Sequence, residues 1–230
     1  MKQCARYYAS TTIRVRVIDG LTVVLDLKQD RYAVLDEIGT IFWHALTTTA
    51  DQAQCLDGVG AAYEVTTATL ERDLASFACV CASRGWLTTS PPVLVNQRAA
   101  RVTRSPSIFL AWWALMEMLV LRKLTGIQTL YAMAVKRAVP LDNPTAHEQL
   151  GRALSAFIGA ENFVKLPGGA QDCLPRSLAL FAFLSRCGIS SRHCIGVRRT
   201  PFEAHAWVEV DGKPVLENLD QRHYEILAEI

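Results

Sequence analysis

An apolar run in the second half of the chain opens on a cysteine: residues 172–180 read DCLPRSLAL. Pro175 is tolerated in a helix only within the first turn, which places Cys173 at the start of a helix. Apolar residues follow at helical spacing, and Gly188 ends the pattern. We therefore predict a buried helix that begins with a thiol, where unpaired N–H groups favour negative charge.

A second segment, residues 204–210, reads AHAWVEV and alternates as a half-buried strand does. His205 shares one face of this strand with Trp207 and Glu209. A histidine on a sheet face can lie against a helix N-terminus, where it would abstract a thiol proton and later protonate a leaving amine. We interpret Cys173 and His205 as a nucleophile and its base.

A third side chain should orient the imidazole, and the turn at Asp211-Gly212 decides which residue faces His205. A three-residue loop with the glycine in the left-handed position pairs His205 with Glu217. A two-residue turn pairs it with Asn218 instead. Either residue could accept from the ring N–H, so Glu217 and Asn218 are both candidates, and Asp220 is a distant third.

The first part of the chain, residues 1–88, predicts a small winged-helix-like module of three strands and three helices. Its first two strands flank Asp19-Gly20, which is the pattern of a hairpin. The predicted strands are residues 13–17, 22–27 and 31–35. Three helices are predicted: the first is capped by Asp36, the second covers residues 50–62 and the third covers residues 68–84.

Residues 89–106 carry prolines and arginines without periodicity and are predicted to be a linker. The rest of the chain, residues 107–230, is predicted to be helical first and then to form an antiparallel sheet. That order is typical of papain-like and transglutaminase-like thiol enzymes. The predicted fold class is therefore α+β, a winged-helix-like module joined to a papain/transglutaminase-like cysteine protease domain. The predicted helices are separated by Pro140 and Pro144, and the predicted strands are residues 191–198, 204–210 and 213–218.

The composition points to a cytoplasmic protein with reduced thiols, because no secretory signal opens the chain and the seven cysteines follow no regular spacing. The net charge of +2 argues against a nucleic acid as the main partner. A zinc site could be gathered only from Cys187, His193, Cys194 and His205, which lack the usual ligand spacing. We expect no metal and no cofactor.

Residues 108–121 are strongly apolar, but they are too few to span a bilayer and include Glu117. We predict a buried core helix here, with an interfacial or partner-docking helix as the alternative. Membrane insertion is not expected.

The motifs together resemble the lasso peptide biosynthesis B proteins, which belong to the transglutaminase-like cysteine protease superfamily. The resemblance rests on residues 172–180, on IGVR at 195–198 and on FEAHAWVEVDG at 202–212. DEIGTIFW at 36–43 resembles the family's precursor-recognition module, a RiPP recognition element related to the PqqD-like winged-helix proteins of pyrroloquinoline quinone biosynthesis.

The resemblance implies a leader peptidase that cuts the leader from a ribosomal precursor peptide. It also implies a partner, an ATP-dependent cyclase resembling asparagine synthetase. The family's nucleophile and base match Cys173 and His205. Its usual third member is an aspartate twelve residues after the histidine, where this chain has Glu217.

The resemblance further implies that the leader adds as a strand beside the third strand of the small module, against its third helix. The same residues could also be core residues. The candidate leader-binding residues are Arg31, Tyr32, Ala33, Val34, Leu35, Leu70, Asp73, Leu74 and Phe77.

Two other classes of function compete with a leader peptidase. A transglutaminase-type acyltransferase or amidase would use the same three side chains and a different acceptor. A non-catalytic peptide- or DNA-binding winged-helix regulator would need a basic recognition helix. In the third helix, Arg72 and Arg84 are offset by Glu71 and Asp73, which argues against DNA.

Overall fold

A computed structural model describes residues 7–48, 52–91, 104–139, 147–164, 173–198, 200–217 and 224–230. The chain divides into two compact units, Met1–Val95 and Asn96–Ile230. Each unit combines helices with antiparallel sheet, which confirms the predicted α+β class. The predicted linker lies largely outside the described residues, and the predicted boundaries at residues 88 and 107 stay predictions.

The first unit contains the predicted three-stranded sheet and three helices among its described residues. Its elements are β1 (Tyr8–Ala9), β2 (Ile13–Ile18), β3 (Leu21–Asp26), β4 (Arg31–Val34), α1 (Glu37–Thr47), α2 (Gln52–Tyr63), α3 (Thr67–Ser83) and β5 (Leu87–Thr88). The sheet order is β2-β3-β4, so β4 is an edge strand. β1 and β5 pair as a separate two-stranded sheet that the sequence analysis did not predict.

Local chemistry explains where these elements begin and end. Asp19 and Gly20 both have positive φ, 48° and 78°, as the two-residue turn of the β2–β3 hairpin requires. The Asp36 carboxylate accepts a hydrogen bond from the Gly39 N–H at 2.7 Å and so caps α1, as predicted. Gly85, at φ 74°, follows α3 and lets the chain turn away.

The second unit contains four helices followed by a four-stranded antiparallel sheet among its described residues. Its elements are α4 (Ile108–Thr125), α5 (Ile127–Arg137), α6 (His147–Phe163), α7 (Cys173–Arg186), β6 (Arg192–Arg198), β7 (Glu203–Val210), β8 (Lys213–Pro214) and β9 (Glu225–Glu229). The sheet order is β8-β7-β6-β9. α7 packs against α4, α5 and β7, and its residues Leu178 and Phe181 are fully buried.

The second unit departs from the sequence prediction in three places. The predicted strand over residues 213–218 is only the two residues of β8, and a single backbone bond from the Val215 N–H to the Val208 carbonyl follows it. β9 was not predicted. Gly126, at φ 77°, adds an unpredicted break between α4 and α5. The break predicted at Pro140 and Pro144, which lie outside the described residues, falls between the end of α5 and the start of α6.

α4 is the apolar helix that the sequence analysis expected to be buried. One face is buried, with Ala114 and Met118 at 0% exposure, but Phe109 is 86% exposed and Trp113 61% exposed. The prediction of a core helix is therefore correct for one face only. In the part of the chain that the structure describes, no helix is long and apolar enough to cross a membrane.

Candidate functional site

Cys173 is the first residue of α7, as the position of Pro175 predicted. The thiol is partly exposed, although most of the helix behind it is buried. The N–H groups of a first helical turn have no partner within the helix, and the helix dipole favours negative charge there. Asp172, the predicted helix cap, lies outside the described residues.

His205 lies on β7, where it pairs across the ladder with Gly196 of β6. Its ring stacks on Trp207, with centroids 6.3 Å apart and planes 12° from parallel, and it also contacts Tyr224 at 6.0 Å. Gly196 makes room for this cluster, because a Cβ there would lie 2.7 Å from the Trp207 ring. The imidazole is therefore packed against two aromatic neighbours.

The structure brings Cys173 and His205 together. A hydrogen bond to the Cys173 side chain is the main reason why the pKa of His205 is raised, and the negative charges of Cys173 and Glu217 add to it against the opposing effect of burial. Nε2 of the ring is engaged by Glu217, which leaves Nδ1 for the thiol. The contact thus favours the protonated form of the His205 imidazole.

Glu217 is the acidic residue at the imidazole, with Oε2 at 3.2 Å from His205 Nε2. The hairpin has a two-residue turn, since Val210 pairs with Lys213, so continued strand pairing would have brought Asn218 opposite His205. The last backbone bond of the hairpin runs from the Val215 N–H to the Val208 carbonyl at 2.9 Å, and Leu216 then adopts a left-handed φ of 59° that redirects the chain. Asn218 and Asp220 lie outside the described residues.

Sequence reasoning missed Arg176 and Glu161. Both oxygens of the Glu161 carboxylate accept hydrogen bonds from Arg176, at 2.6 and 3.1 Å, and Nη1 of the same arginine donates to Glu217 Oε1 at 2.8 Å. A cation one turn after Cys173, near the start of a mostly apolar helix, was a usable signal for Arg176. Nothing local to Glu161 on α6 marks it as its partner.

Two further thiols and one further imidazole of this unit have a different environment. Cys187, Cys194 and His193 are fully buried. Burial raises the pKa of Cys187 to about 11 and that of Cys194 to about 12, so neither ionises readily. Among the described residues, no three His, Cys, Asp or Glu side chains are grouped so as to hold a metal ion.

The predicted leader-binding residues fall into accessible and inaccessible sets. Leu70 and Leu74 are each 5% exposed and belong to the core of the first unit. Asp73 is exposed, and Phe77 is partly buried and contacts Phe42 edge to face. On the edge strand, Ala33 and Leu35 pack against the core, whereas Arg31 and Val34 are exposed and Tyr32 is partly exposed.

A family model places the second unit among known proteins. The model of the transglutaminase-like superfamily matches residues 112–229. The chain belongs to the transglutaminase-like superfamily. A second family model, coenzyme PQQ synthesis protein D (PqqD), matches residues 22–87. This order of modules confirms the resemblance to the lasso peptide biosynthesis B proteins.

Two individual proteins are similar over part of the chain. The microcin J25-processing protein McjB of Escherichia coli is 39% identical over 61 residues, which is 26% of this chain and 29% of that protein. A solved structure, TbiB1 in complex with the TbiA(beta) leader peptide, shows 28% identity and a TM-score of 0.32, covering 37% of this chain and 99% of its own. The chain thus matches less than a third of the length of its curated relative.

Proposed function

We propose that this protein is a leader peptidase: a cysteine peptidase that hydrolyses the bond between the leader and the core of a ribosomally made precursor peptide. The observation that carries the proposal is the contact of Cys173, at the start of α7, with an imidazole that is also bonded to Glu217. Membership of the transglutaminase-like superfamily and the PqqD match over residues 22–87 support it.

In the proposed reaction, the Cys173 thiolate attacks the carbonyl carbon of the last leader residue. Unpaired N–H groups at the start of α7 donate to the oxyanion that forms. The His205 imidazolium then gives its proton to the departing nitrogen, so the core leaves with a free amino group and the leader remains as a thioester on Cys173. Water attacks the thioester, His205 accepts its proton, and the leader leaves with a free carboxylate.

The first unit supplies the proposed leader-docking site at the open edge of β4. The Leu35 N–H donates to the Thr22 carbonyl at 2.8 Å, so it points into the sheet. Successive N–H groups of a strand alternate in direction, and that of Val34 therefore points toward the open edge. An added leader strand would pair there, with the exposed Val34 side chain beside it.

Both units belong to one chain, so docking of the leader raises the concentration of the scissile bond at Cys173. The active site itself then needs little affinity. We place the protein in the cytoplasm, where thiols stay reduced. The freed amino group would be consumed by an ATP-dependent, asparagine-synthetase-like cyclase, which we infer as a partner.

The activity is tested by incubating the purified chain with its cognate precursor and measuring the masses of the products by mass spectrometry. Cys173→Ala should bind the precursor and release nothing, whereas Cys79→Ala, which removes an exposed thiol of α3, should cleave normally. Fragments that have gained one water establish hydrolysis. Products that have instead gained an added amine would establish the transglutaminase-type acyltransferase, and undiminished cleavage by Cys173→Ala would end the assignment.

The docking site is tested with a fluorescent leader peptide and two substitutions at one position. Val34→Pro removes the edge-facing donor without removing a bond inside the sheet, and we expect leader affinity to fall about tenfold or more. Val34→Thr keeps the donor and the side-chain shape, so its affinity should stay close to that of the unsubstituted chain. Equal affinity for all three proteins would exclude strand addition at β4.

A further inference from the structure

We propose that Arg176 and Glu161 are positioning residues for the reaction: together they fix the orientation of the Glu217 carboxylate and keep His205 in its acid form. This inference rests on the proposed peptidase function. Neither residue touches Cys173 or His205 in the described contacts, so both act through Glu217.

The geometry of the guanidinium carries the first step. Nε and Nη2 of Arg176 donate hydrogen bonds to the two carboxylate oxygens of Glu161, at 2.6 and 3.1 Å. This two-point contact fixes the plane of the guanidinium, because its donors form a rigid fork. The remaining Nη1 is thereby aimed at Glu217 Oε1, 2.8 Å away, and Oε2 of that carboxylate is left for His205 at 3.2 Å.

Glu217 needs such support because no strand holds its backbone. β8 ends at Pro214, and Leu216 occupies the left-handed region at φ 59°, which is unfavourable for a residue with a side chain. The carboxylate therefore depends on side-chain ties. A glutamate can reach the arginine and the imidazole at once, whereas an aspartate is one methylene shorter.

The charges of these side chains favour the protonated form of His205. With one guanidinium between two carboxylates, the trio Glu161, Arg176 and Glu217 carries one surplus negative charge. Its side chains are only 19%, 30% and 22% exposed, so solvent screens that charge weakly. An imidazolium at His205 neutralises the group. Glu203 of β7 also interacts with this ring, but it is paired with Arg198, and Tyr224, which packs on the ring, donates its hydroxyl to Glu203. Glu161 thus contributes the charge that favours the proton donor which the departing amine requires.

A purely structural role is the competing explanation, because Arg176 also ties α7 to α6. The same unit offers a matched comparison. Glu117 of α4 pairs with Arg137 of α5 and with Arg186 at the end of α7, and none of these three hydrogen-bonds to His205 or Glu217 among the described contacts. Glu117→Gln therefore removes one carboxylate from another three-residue ion-pair cluster, which holds two arginines and one glutamate, without changing the charge that reaches His205 through Glu217.

The experiment follows the titration of His205 by NMR in the full chain labelled at histidine, with His205→Gln to assign the signal. Glu161→Gln keeps the shape of the side chain and removes its charge, so the His205 titration midpoint should move to lower pH. Arg176→Gln should broaden or shift the same signal, and Arg176→Lys should restore part of the original behaviour. Glu117→Gln should leave the midpoint unchanged.

Kinetics give the second readout, with precursor as substrate. We expect kcat to fall about tenfold in Arg176→Gln, which is what loss of one charge-assisted hydrogen bond gives, and KM to stay within about twofold because the leader docks elsewhere. The alkaline limb of the pH–rate profile should move to lower pH in Glu161→Gln.

Failure of this inference can be distinguished from failure of the proposed peptidase function. If Glu161→Gln and Glu117→Gln have the same effect on the His205 midpoint, Arg176 is a structural tie only and the inference is wrong. The NMR titration needs no substrate, so a chain that does not cleave its precursor would end the proposed function while leaving this test intact. Thermal unfolding of each variant confirms that it is folded.

Discussion

Two histidines on adjacent strands of one sheet meet the same helix with opposite results. His193 on β6 lies 2.9 Å from the hydroxyl of Ser177, and His205 on β7 interacts with the thiol of Cys173, one turn earlier on α7. Each pair joins an imidazole to a side chain that can act as a nucleophile. Only His205 is reached by a carboxylate and by solvent, with 18% of its side chain exposed.

The electrostatics of the two rings follow from these surroundings. Complete burial lowers the pKa of His193 to about 3, so its ring stays neutral. The Ser177 hydroxyl donates to the Leu174 carbonyl at 3.0 Å and so accepts from Nε2 of His193. The pKa of His205 is raised, first by its bond to Cys173. Contact between a nucleophile and an imidazole is therefore insufficient to raise the pKa of the ring. A charge that stabilises the protonated ring is also needed.

The largest expected effect separates the two histidines by activity. His205→Gln removes the proton donor and acceptor, and we expect kcat/KM for precursor cleavage to fall about 10³-fold or more. His193→Gln should keep kcat/KM within a few fold while lowering the free energy of unfolding by about 1–3 kcal/mol, because a buried bond is lost. Equal loss of activity in both folded variants would contradict the comparison.

The second effect is on stability as a function of pH, and it has opposite signs for the two rings. A buried neutral His193 is protonated only in the unfolded chain between its ordinary pKa near 6.5 and its folded value of about 3. Its contribution to stability is therefore lost as pH falls through that window, by up to about 1.4 kcal/mol per pH unit. The raised pKa of His205 stabilises the folded chain below pH 6.5 and loses that effect as pH rises through the folded pKa.

Chemical denaturation at a series of pH values checks this expectation. His193→Phe should flatten the acid side of the stability curve, and His205→Gln should flatten the neutral-to-alkaline side. A stability curve whose acid side is identical with and without His193 would show that this ring does not control it.

The smallest effect concerns the aromatic neighbours that hold His205. Gly196→Ala brings a Cβ within 2.7 Å of the Trp207 ring, which should displace that ring and the imidazole stacked on it. We expect about 1–3 kcal/mol of lost stability and a measurable fall in kcat. Gly151→Ala on α6 is the control, since nothing lies within 4 Å of its Cβ position, and it should be neutral or stabilising. Unchanged kcat in folded Gly196→Ala would show that His205 does not depend on Trp207.

The sequence was informative wherever a short-range rule sets the structure. The Asp19-Gly20 turn, the Asp36 cap and the helical start at Cys173 depend on residues within a few positions of each other, and the structure has all three. The alternation of residues 204–210 likewise predicted that His205 and Trp207 share a face, which their stacking shows.

Long-range pairing explains what was missed. Arg176 meets Glu161 and Glu217 across 15 and 41 positions, and many other charged residues were equally available as partners. The third residue shows the same limit, because strand register alone favoured Asn218 for the two-residue turn that forms. The left-handed Leu216 redirects the chain, and neither propensity nor spacing predicts such a conformation at a leucine.

The burial of three cysteines has a practical consequence for inhibitor chemistry. Among the cysteines that the structure describes, Cys81, Cys187 and Cys194 are buried, so an electrophilic warhead can react only with Cys55, Cys79 and Cys173. Cys55 and Cys79 lie in the first unit, on α2 and α3. A peptide epoxide that modifies this protein would therefore reveal its target by which half of the chain gains mass after a single proteolytic cut between the units.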